Sequence, residues 1–457
     1  MSSTTSEDTI AAIATPHGRG GVAIVRISGC NALQVAKKIT GITPKPRHAY
    51  FRPFIQNGET VDEGVVIFFP APHSYTGEDV LELQGHAGNI QPQRVLSAVL
   101  SCPGIRQANP GEFTRRAFMN GKMDLTAAEA VEDLISAGSE SAAKAAMASL
   151  DGAFARDMHK LSDQITSFRV KLEGCLDFPE EHEDFFDSGK AVTELKQIQA
   201  LACEAKLKAS QGLKLTEGAK IVLSGAPNAG KSSLLNALSG TERAIVTNIP
   251  GTTRDLLTAD IEINGVPVTI TDTAGIRDIP SDEIEAIGIR KAVSALKQAD
   301  LVVLMIDGSV APEPDLLKKI SDLKELNSQI LIAISKSDLP QNPQTTSQLN
   351  SKELSSIPKL QISVKTSEGL LSLRKKLSES LGIIPVEGVY SARSRHLSAL
   401  NDSIEALTRA SQILEIGDLV LCAQEMKLAQ DSLGMITGKV SSDDLLGKIF
   451  STFCIGK

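Results

Sequence analysis

Gly225-Ala226-Pro227-Asn228-Ala229-Gly230-Lys231-Ser232 follows the apolar run Ile221–Ser224 and opens a helical pattern, and this stretch decides the fold. A glycine-rich turn between a strand and a helix lets backbone N–H groups wrap a phosphate. Lys231 is placed to reach the β- and γ-phosphates of a nucleotide, and the Ser232 hydroxyl to ligate Mg²⁺. Outward from this loop, strand-length apolar runs alternate with helical segments. The runs are Val268–Thr271, Leu301–Ile306, Ile330–Ile334 and Gln361–Val364. Asn264-Gly265, between Ile261–Ile263 and Val266–Val268, is a type I′ hairpin signal. The alternation predicts a doubly wound α/β sheet with helices on both faces.

Three further motifs follow in order. In Gly251-Thr252-Thr253-Arg254-Asp255 a threonine can ligate Mg²⁺ and sense the γ-phosphate. In Asp272-Thr273-Ala274-Gly275 the aspartate suits the Mg²⁺ shell through water, and the Gly275 N–H faces the γ-phosphate. Ser335-Lys336-Ser337-Asp338 ends the set. Asp338 can accept from both the N1–H and the exocyclic amine of guanine, a donor pair that adenine lacks. Ser335 stands where such motifs usually carry Asn, which puts one supporting hydrogen bond in question but keeps the discriminating Asp338. Ser363-Val364-Lys365 resembles the loop that adds a backbone contact to the base. Together these motifs predict a GTP hydrolase. Ile276 occupies the position after the second motif where Ras-like enzymes place a glutamine. An aliphatic side chain cannot orient water, so another group and another cation must act in its place.

Beyond the α/β segment the pattern changes. Residues 1–122 read as mixed α and β, with strand-like runs at Val22–Ile27, Val65–Phe69 and Val80–Leu83. Thr126-Ala127-Ala128-Glu129 reads as a capping box opening a helical region. Leu161, Ile165, Phe168 and Leu172 recur at helical spacing within it. The acidic break Asp177–Asp187 reads as a solvated connector rather than a metal site. After about residue 381, Leu397, Leu400, Ile404 and Leu407 line one helical face, and Leu445, Leu446, Ile449, Phe450 and Phe453 close the chain. Helical segments on both sides of the α/β segment predict a multidomain chain: 1–122 α+β, 123–215 and 381–457 one discontinuous all-α domain, and 216–380 inserted into it.

Composition excludes several classes. A net charge of −8 and the absence of Trp argue against a general nucleic-acid trap or a base-stacking platform. Six scattered cysteines with no CxxC pair fit a reducing cytoplasm and argue against a zinc or disulfide framework. No apolar run reaches the roughly 18 residues of a membrane span, and the polar, acidic start carries no secretory signal. No membrane association is expected.

The whole chain resembles the MnmE (TrmE) family of bacterial tRNA modification GTPases. The resemblance rests on the loop and switch motifs above and on residues 15–29 (TPHGRGGVAIVRISG), 75–88 (YTGEDVLELQGHAG) and 110–135 (PGEFTRRAFMNGKMDLTAAEAVEDLI). The terminal Phe453-Cys454-Ile455-Gly456-Lys457 completes it. It implies an N-terminal tetrahydrofolate-binding domain, a two-part helical domain and an inserted G domain. It further implies a homodimer and a heterotetramer with the FAD-dependent protein MnmG. Their joint product would be an aminomethyl or carboxymethylaminomethyl group on C5 of the wobble uridine of certain tRNAs.

Residue roles carry over from the same resemblance. Asn228, Thr247, Ile249 and Thr252 correspond to K⁺ ligands, and Ser232 and Thr253 to Mg²⁺ ligands. Ala229, Gly230, Lys231, Ser233, Asn248, Pro250 and Gly251 line the nucleotide with Asp272, Thr273, Ala274, Gly275, Lys336, Asp338, Ser363 and Lys365. Glu285 corresponds to the acid that orients the catalytic water, its alternative being an exposed helix glutamate. Arg26, Glu82, Lys122 and Lys457 match the positions that bind a 5-formyl- or methylene-tetrahydrofolate. Cys454 is either a cysteine near the modification chemistry or a buried structural thiol. Two rival readings share the motifs: a ribosome-assembly GTPase, which lacks its basic RNA-binding appendage here, and a folate-binding scaffold that uses GTP only as a switch.

Overall fold

The computed structural model describes residues 8–177, 189–240, 257–272, 293–326, 329–384, 386–439 and 443–456. The chain divides into two compact units: Met1–Ile135 with Ser149–Ala202 and Ala399–Lys457, and Ser136–Ala148 with Cys203–Ser398.

The first unit contains a six-stranded sheet in the order β3-β4-β5-β2-β1-β6. Its strands are β1 (Thr9–Ile13), β2 (Ala23–Ser28), β3 (Tyr50–Gln56), β4 (Glu59–Phe69), β5 (Val80–Gly85) and β6 (Ile105–Gln107). Neighbours run antiparallel except β1 and β6. Helices Ala32–Thr40 and Gln91–Leu100 bury Val35, Ile39, Val95 and Val99 in one core with Val25, Ile27, Leu81 and Leu83. β1, β3 and β6 are additions to the sequence reading. The β3–β4 turn carries its own signal, Asn57-Gly58, with φ of 52° and 86°. The expected helical stripe is real: Leu161, Ile165, Phe168 and Leu172 are buried on helix Ala153–Asp177. That helix is tied to helix Leu419–Thr437 by Arg169 Nη1 donating to Gln430 Oε1 (2.9 Å). The C-terminal helix Asp443–Ser451 returns to pack Leu446, Ile449 and Phe450 on Leu125 and Ala128.

One local reading is corrected. Thr126 does not cap its helix; it lies inside Leu125–Ser136 and is buried. Asp124 is the cap, its Oδ1 accepting from the Ala127 N–H (2.9 Å) and the Thr126 hydroxyl (2.6 Å). A carboxylate one residue before the first turn satisfies the open donors there, so the box pattern starting at Thr126 was two residues late.

A buried ionic network fixes the loop before β5. Arg116, with its side chain 8% exposed, donates to Glu78 (3.0 Å), Glu112 (3.0 Å) and Asp8 (2.8 Å). Arg106 adds a second pair to Glu112 (2.6 Å). Burial by itself raises the Glu112 carboxyl, but Arg106, the Asn109 N–H and Arg116 outweigh it and hold it below its usual range. The stability this contributes is therefore present at neutral pH and lost as pH falls through the carboxylate range. Replacing Arg116 by Met leaves the largely buried Glu78 carboxylate without its cation, while Glu112 keeps Arg106. We expect a cost of about 3–5 kcal/mol, seen as faster amide exchange across residues 8–119.

The second unit holds the doubly wound sheet, in the order β12-β11-β10-β7-β9-β8. The strands are β7 (Ala219–Gly225), β8 (Leu257–Ile263), β9 (Val266–Asp272), β10 (Leu301–Asp307), β11 (Ile330–Ser335) and β12 (Lys359–Gln361). All pair in parallel except β8 with β9. Ile221 and Leu223 enter one core and Val222 the opposite one, as a strand covered on both faces requires. Asn264 and Gly265 have φ of 50° and 85°, the conformation the I′ signal implies. The strand expected at Gln361–Val364 instead ends at Gln361. Ser363 N–H turns away to the Glu368 carbonyl (2.9 Å), which closes the loop used by the site.

Candidate functional site

The phosphate-binding geometry begins where β7 ends. Gly225 has φ of 142° and faces the Met305 backbone on β10, where any Cβ would collide with the Met305 carbonyl. Only glycine permits that approach. Asn228 has φ of 62°, and Gly230 (φ 96°) starts helix Lys231–Ser239 without a side-chain cap. No acid occupies the first turn. The amides of this turn and the helix dipole thus present a ready anion site. Lys231 is buried, and its Nζ donates to the carbonyls of Gly225 (2.9 Å) and Ala226 (2.8 Å), holding a cation over the loop. The Ser232 hydroxyl donates to Asp272 Oδ2 (2.7 Å), and Asp272 is fully buried at the end of β9. A hydroxyl and a carboxylate brought together beside a phosphate loop are the hard oxygen donors that Mg²⁺ takes. Asn228 and Ser233 are exposed, and Ala229 is buried.

The base-reading end sits at the same edge of the sheet. Ser335 is buried, and its hydroxyl donates to the Ala229 carbonyl (2.7 Å). The short serine side chain reaches the phosphate loop because β11 ends directly beside it. Asp338 is exposed, and Oδ1 accepts from the Ser363 hydroxyl (2.6 Å). That hydrogen bond, its own backbone amide, Lys365 and Lys336 hold the carboxyl below its usual range. Asp338 is thus ionised throughout the neutral range, as reading two guanine donors requires. Ser363 and Lys365, expected to touch the base by backbone, also serve the carboxylate that reads it.

In the first unit, Arg26 and Glu82 are directly opposed across β2 and β5. They pair with each other, Arg26 Nε donating to Glu82 Oε1 (3.1 Å). Gln84 Nε2 donates to the other carboxylate oxygen (3.2 Å). The guanidinium lies 5.3 Å from the Tyr75 ring centroid and 5.8 Å from that of Phe113. Burial raises the Tyr75 phenol, against the opposing effects of Thr114 and Arg26. This is a half-buried carboxylate held by a guanidinium that itself packs on two aromatic rings, and a carboxylate of this kind can accept from the planar donor edge of a pterin. Lys122, between helices Glu112–Met119 and Leu125–Ser136, donates to the Pro72 carbonyl (3.0 Å) on the loop before β5. Sequence reasoning assigned neither Tyr75 nor Phe113, although both stand inside the motifs it quoted. Cys454 is exposed, which removes the buried-thiol alternative; its carbonyl accepts from Gly111 N–H (3.4 Å).

Thr247, Asn248, Ile249, Pro250, Gly251, Thr252, Thr253, Thr273, Ala274, Gly275, Ile276, Glu285 and Lys457 lie outside the described residues.

A family profile described as the MnmE helical domain matches residues 125–454, and one described as the GTP-binding protein TrmE N-terminus matches residues 9–122. The tRNA modification GTPase MnmE of Vibrio cholerae serotype O1 (El Tor Inaba) is 46% identical over 458 residues, covering 98% of this chain and 99% of the relative. That of Vibrio vulnificus is 47% identical over 456 residues, with the same coverage. Among solved structures, the G domain of the T. maritima FeoB iron transporter is 30% identical over 35% of this chain and 98% of its own, with a TM-score of 0.27.

Proposed function

This chain belongs to the MnmE family of tRNA modification GTPases, and from that membership we propose a K⁺-dependent GTP hydrolase that works with a FAD-dependent partner on the wobble uridine of certain tRNAs. The chain is a GTPase of tRNA modification. The finer product, an aminomethyl or carboxymethylaminomethyl group on C5, is our reading. The observation that carries the nucleotide part is the Ser335 hydroxyl on the Ala229 carbonyl (2.7 Å). It joins the base-reading strand directly to the phosphate loop, so one nucleotide spans both.

Within this reading, Lys231 and the amides after Gly230 hold the phosphates, and Asp338 selects guanine. Ser232, with Thr253, would hold Mg²⁺, which offsets phosphate charge. Asn228, with Thr247, Ile249 and Thr252, would hold K⁺. Thr273, Ala274 and Gly275 continue the γ-phosphate contact, and Glu285 orients the attacking water. Residues 1–122, 123–215 with 381–457, and 216–380 are the working domains. The partners are a second copy of the chain, MnmG and tRNA, in the cytoplasm. No helix among the described residues is long and apolar enough to cross a membrane.

The tetrahydrofolate would lie against Glu82 and Arg26, with Tyr75 beside them, the fully buried Phe113 backing Arg26 from the core, and the cations Lys122 and Lys457 toward its glutamate tail. With Arg26 engaged by Glu82, we assign Arg26 the task of orienting the carboxylate rather than holding the tail. We expect 5-formyltetrahydrofolate to bind the full-length protein without nucleotide and Glu82→Gln to weaken it by about tenfold, one charge-assisted hydrogen bond. Calorimetry showing no saturable heat with the parent protein would remove the site.

The function as a whole is tested in cells. Strains lacking the gene should lose the C5 group from wobble uridines by mass spectrometry, and the parent gene should restore it. Glu285→Ala should bind GTP but turn it over slowly, the mark of an interaction made chiefly in the transition state. Restoration by Glu285→Ala equal to the parent would mean that hydrolysis does not drive the modification.

A further inference from the structure

The proposed base-reading site contains a lysine whose position needs explaining. Lys336 lies two residues before Asp338, and both side chains reach solvent. An ammonium on a flexible stem so close to an exposed carboxylate is that carboxylate's natural partner. A pair of that kind would compete with the guanine donors Asp338 is there to accept. The structure shows a different arrangement. Lys336 Nζ lies 2.6 Å from Asp307 Oδ2, at the end of β10. Asp307 stands opposite Ser335 in the β10–β11 register, one residue from Lys336 across the strand pair.

Asp307 is built to hold this partner. Its second oxygen, Oδ1, accepts from the Ser309 N–H (3.0 Å) and the Ser309 hydroxyl (2.6 Å), so both carboxylate oxygens are engaged and the side chain is 12% exposed. Burial alone would raise its carboxyl, but Lys336 and Ser309 outweigh that and keep it in the charged form. The Lys336 backbone is held too. It has φ of 58°, a left-handed conformation that a lysine adopts only when its surroundings impose it. Gln341 Nε2 braces this turn by donating to the carbonyls of Lys336 (3.1 Å) and Leu339 (2.9 Å). The turn after Asp307 is locked onto the same loop: Gly308 N–H donates to the Ser335 carbonyl (3.1 Å), and Asn342 N–H to the Gly308 carbonyl (2.8 Å). A Cβ at Gly308 would collide with the Gln341 side chain.

We propose that Asp307 is a positioning residue for guanine-nucleotide binding: it takes the Lys336 ammonium away from Asp338 and fixes the lysine stem beside the base position before the nucleotide arrives. The proposal rests on the reading of Asp338 as the guanine-reading carboxylate. Asp307 itself touches no nucleotide in this scheme. Its effect passes entirely through Lys336. Fixing the stem in advance removes rotamer freedom that would otherwise be lost on binding. Held at Asp307, the ammonium still favours the charged form of Asp338 from a distance but does not occupy the oxygens that would read the base.

The test is a double-mutant cycle between Asp307→Asn and Lys336→Met in the full-length protein, read as the affinity and dissociation rate of a fluorescent GDP at fixed salt. Asp307→Asn frees the lysine and is expected to weaken binding about tenfold, chiefly through faster dissociation. In the Lys336→Met background the same change is expected to do nearly nothing, because no ammonium remains to be misplaced. In turnover the loss should fall on KM more than on kcat. Equal losses from Asp307→Asn in both backgrounds would overturn the proposal, since a merely structural aspartate acts without regard to Lys336. If Asp307→Asn does not fold, Ser309→Ala serves in its place, loosening the same carboxylate with an expected loss of about threefold that again vanishes with Lys336→Met. Failure of the underlying reading shows separately: Asp338→Asn would then leave the GTP-over-XTP preference intact, whatever the cycle between Asp307 and Lys336 returns.

Discussion

Asp338→Asn is expected to move the nucleotide preference from GTP to XTP, by about 10²-fold or more in the ratio of affinities. The parent carboxylate offers two acceptors to the N1–H and the exocyclic amine of guanine. An amide offers one acceptor and one donor, which matches xanthine, where an oxygen replaces the amine. The size of the effect follows from the environment. Ser363 donates to Asp338 Oδ1 (2.6 Å), and this hydrogen bond holds the carboxyl below its usual range. The parent therefore stays charged through neutral pH, and its preference should not change there. It should weaken only when pH falls into the carboxylate range and the second acceptor is protonated. Competition of GTP and XTP against a fluorescent nucleotide gives the ratio directly. A variant that keeps the parent's preference would show that Ser335–Asp338 does not read the base.

Replacing K⁺ by Na⁺ is expected to slow GTP turnover by about 10²-fold. The reasoning starts from what the chain lacks at the γ-phosphate. Ile276 cannot orient water, and no arginine finger is identifiable in the sequence. A transition state that spreads charge between the β- and γ-phosphates still needs a cation there. Asn228 is exposed in the phosphate loop with φ of 62°, and in our reading its side-chain oxygen would be one ligand of that cation. A cage of that oxygen and backbone carbonyls from Thr247, Ile249 and Thr252 would be sized to K⁺, and the smaller Na⁺ would be held poorly. Asn228→Ala should remove most of the difference between the two salts while leaving GDP affinity close to the parent's, because the cation matters most in the transition state. Equal turnover of the parent protein in K⁺ and Na⁺ would end this reading.

The phosphate loop, the Asn264-Gly265 hairpin and the alternation of strands were legible from residue order because each is a local pattern. A glycine-rich turn, an Asn-Gly hairpin and an apolar run of strand length constrain only their own backbone, so Gly225–Ser232, Asn264-Gly265 and β10 could be read without any partner. Boundaries were less legible. Asp124, not Thr126, caps its helix, and β12 stops at Gln361. Both outcomes depend on which donor finds which acceptor in competition with a neighbour.

What only tertiary structure decided is pairing between residues far apart in the chain. The exchange of charge between Arg26 and Glu82 depends on the register of β2 against β5, and a shift of one residue would turn the two to opposite faces. The Ser335 hydroxyl reaches Ala229 only because β11 and the phosphate loop end at one edge of the same sheet. Asp307 gave no signal in the sequence beyond standing at the end of a parallel strand, where α/β sheets place their ligand-facing residues. Its partner Lys336 is 29 positions away in the numbering. The sequence by itself determined which chemical groups this protein has for binding GTP. The fold decided which of them are left facing the ligand, because a charged side chain goes to the nearest opposite charge, and only packing determines which one that is.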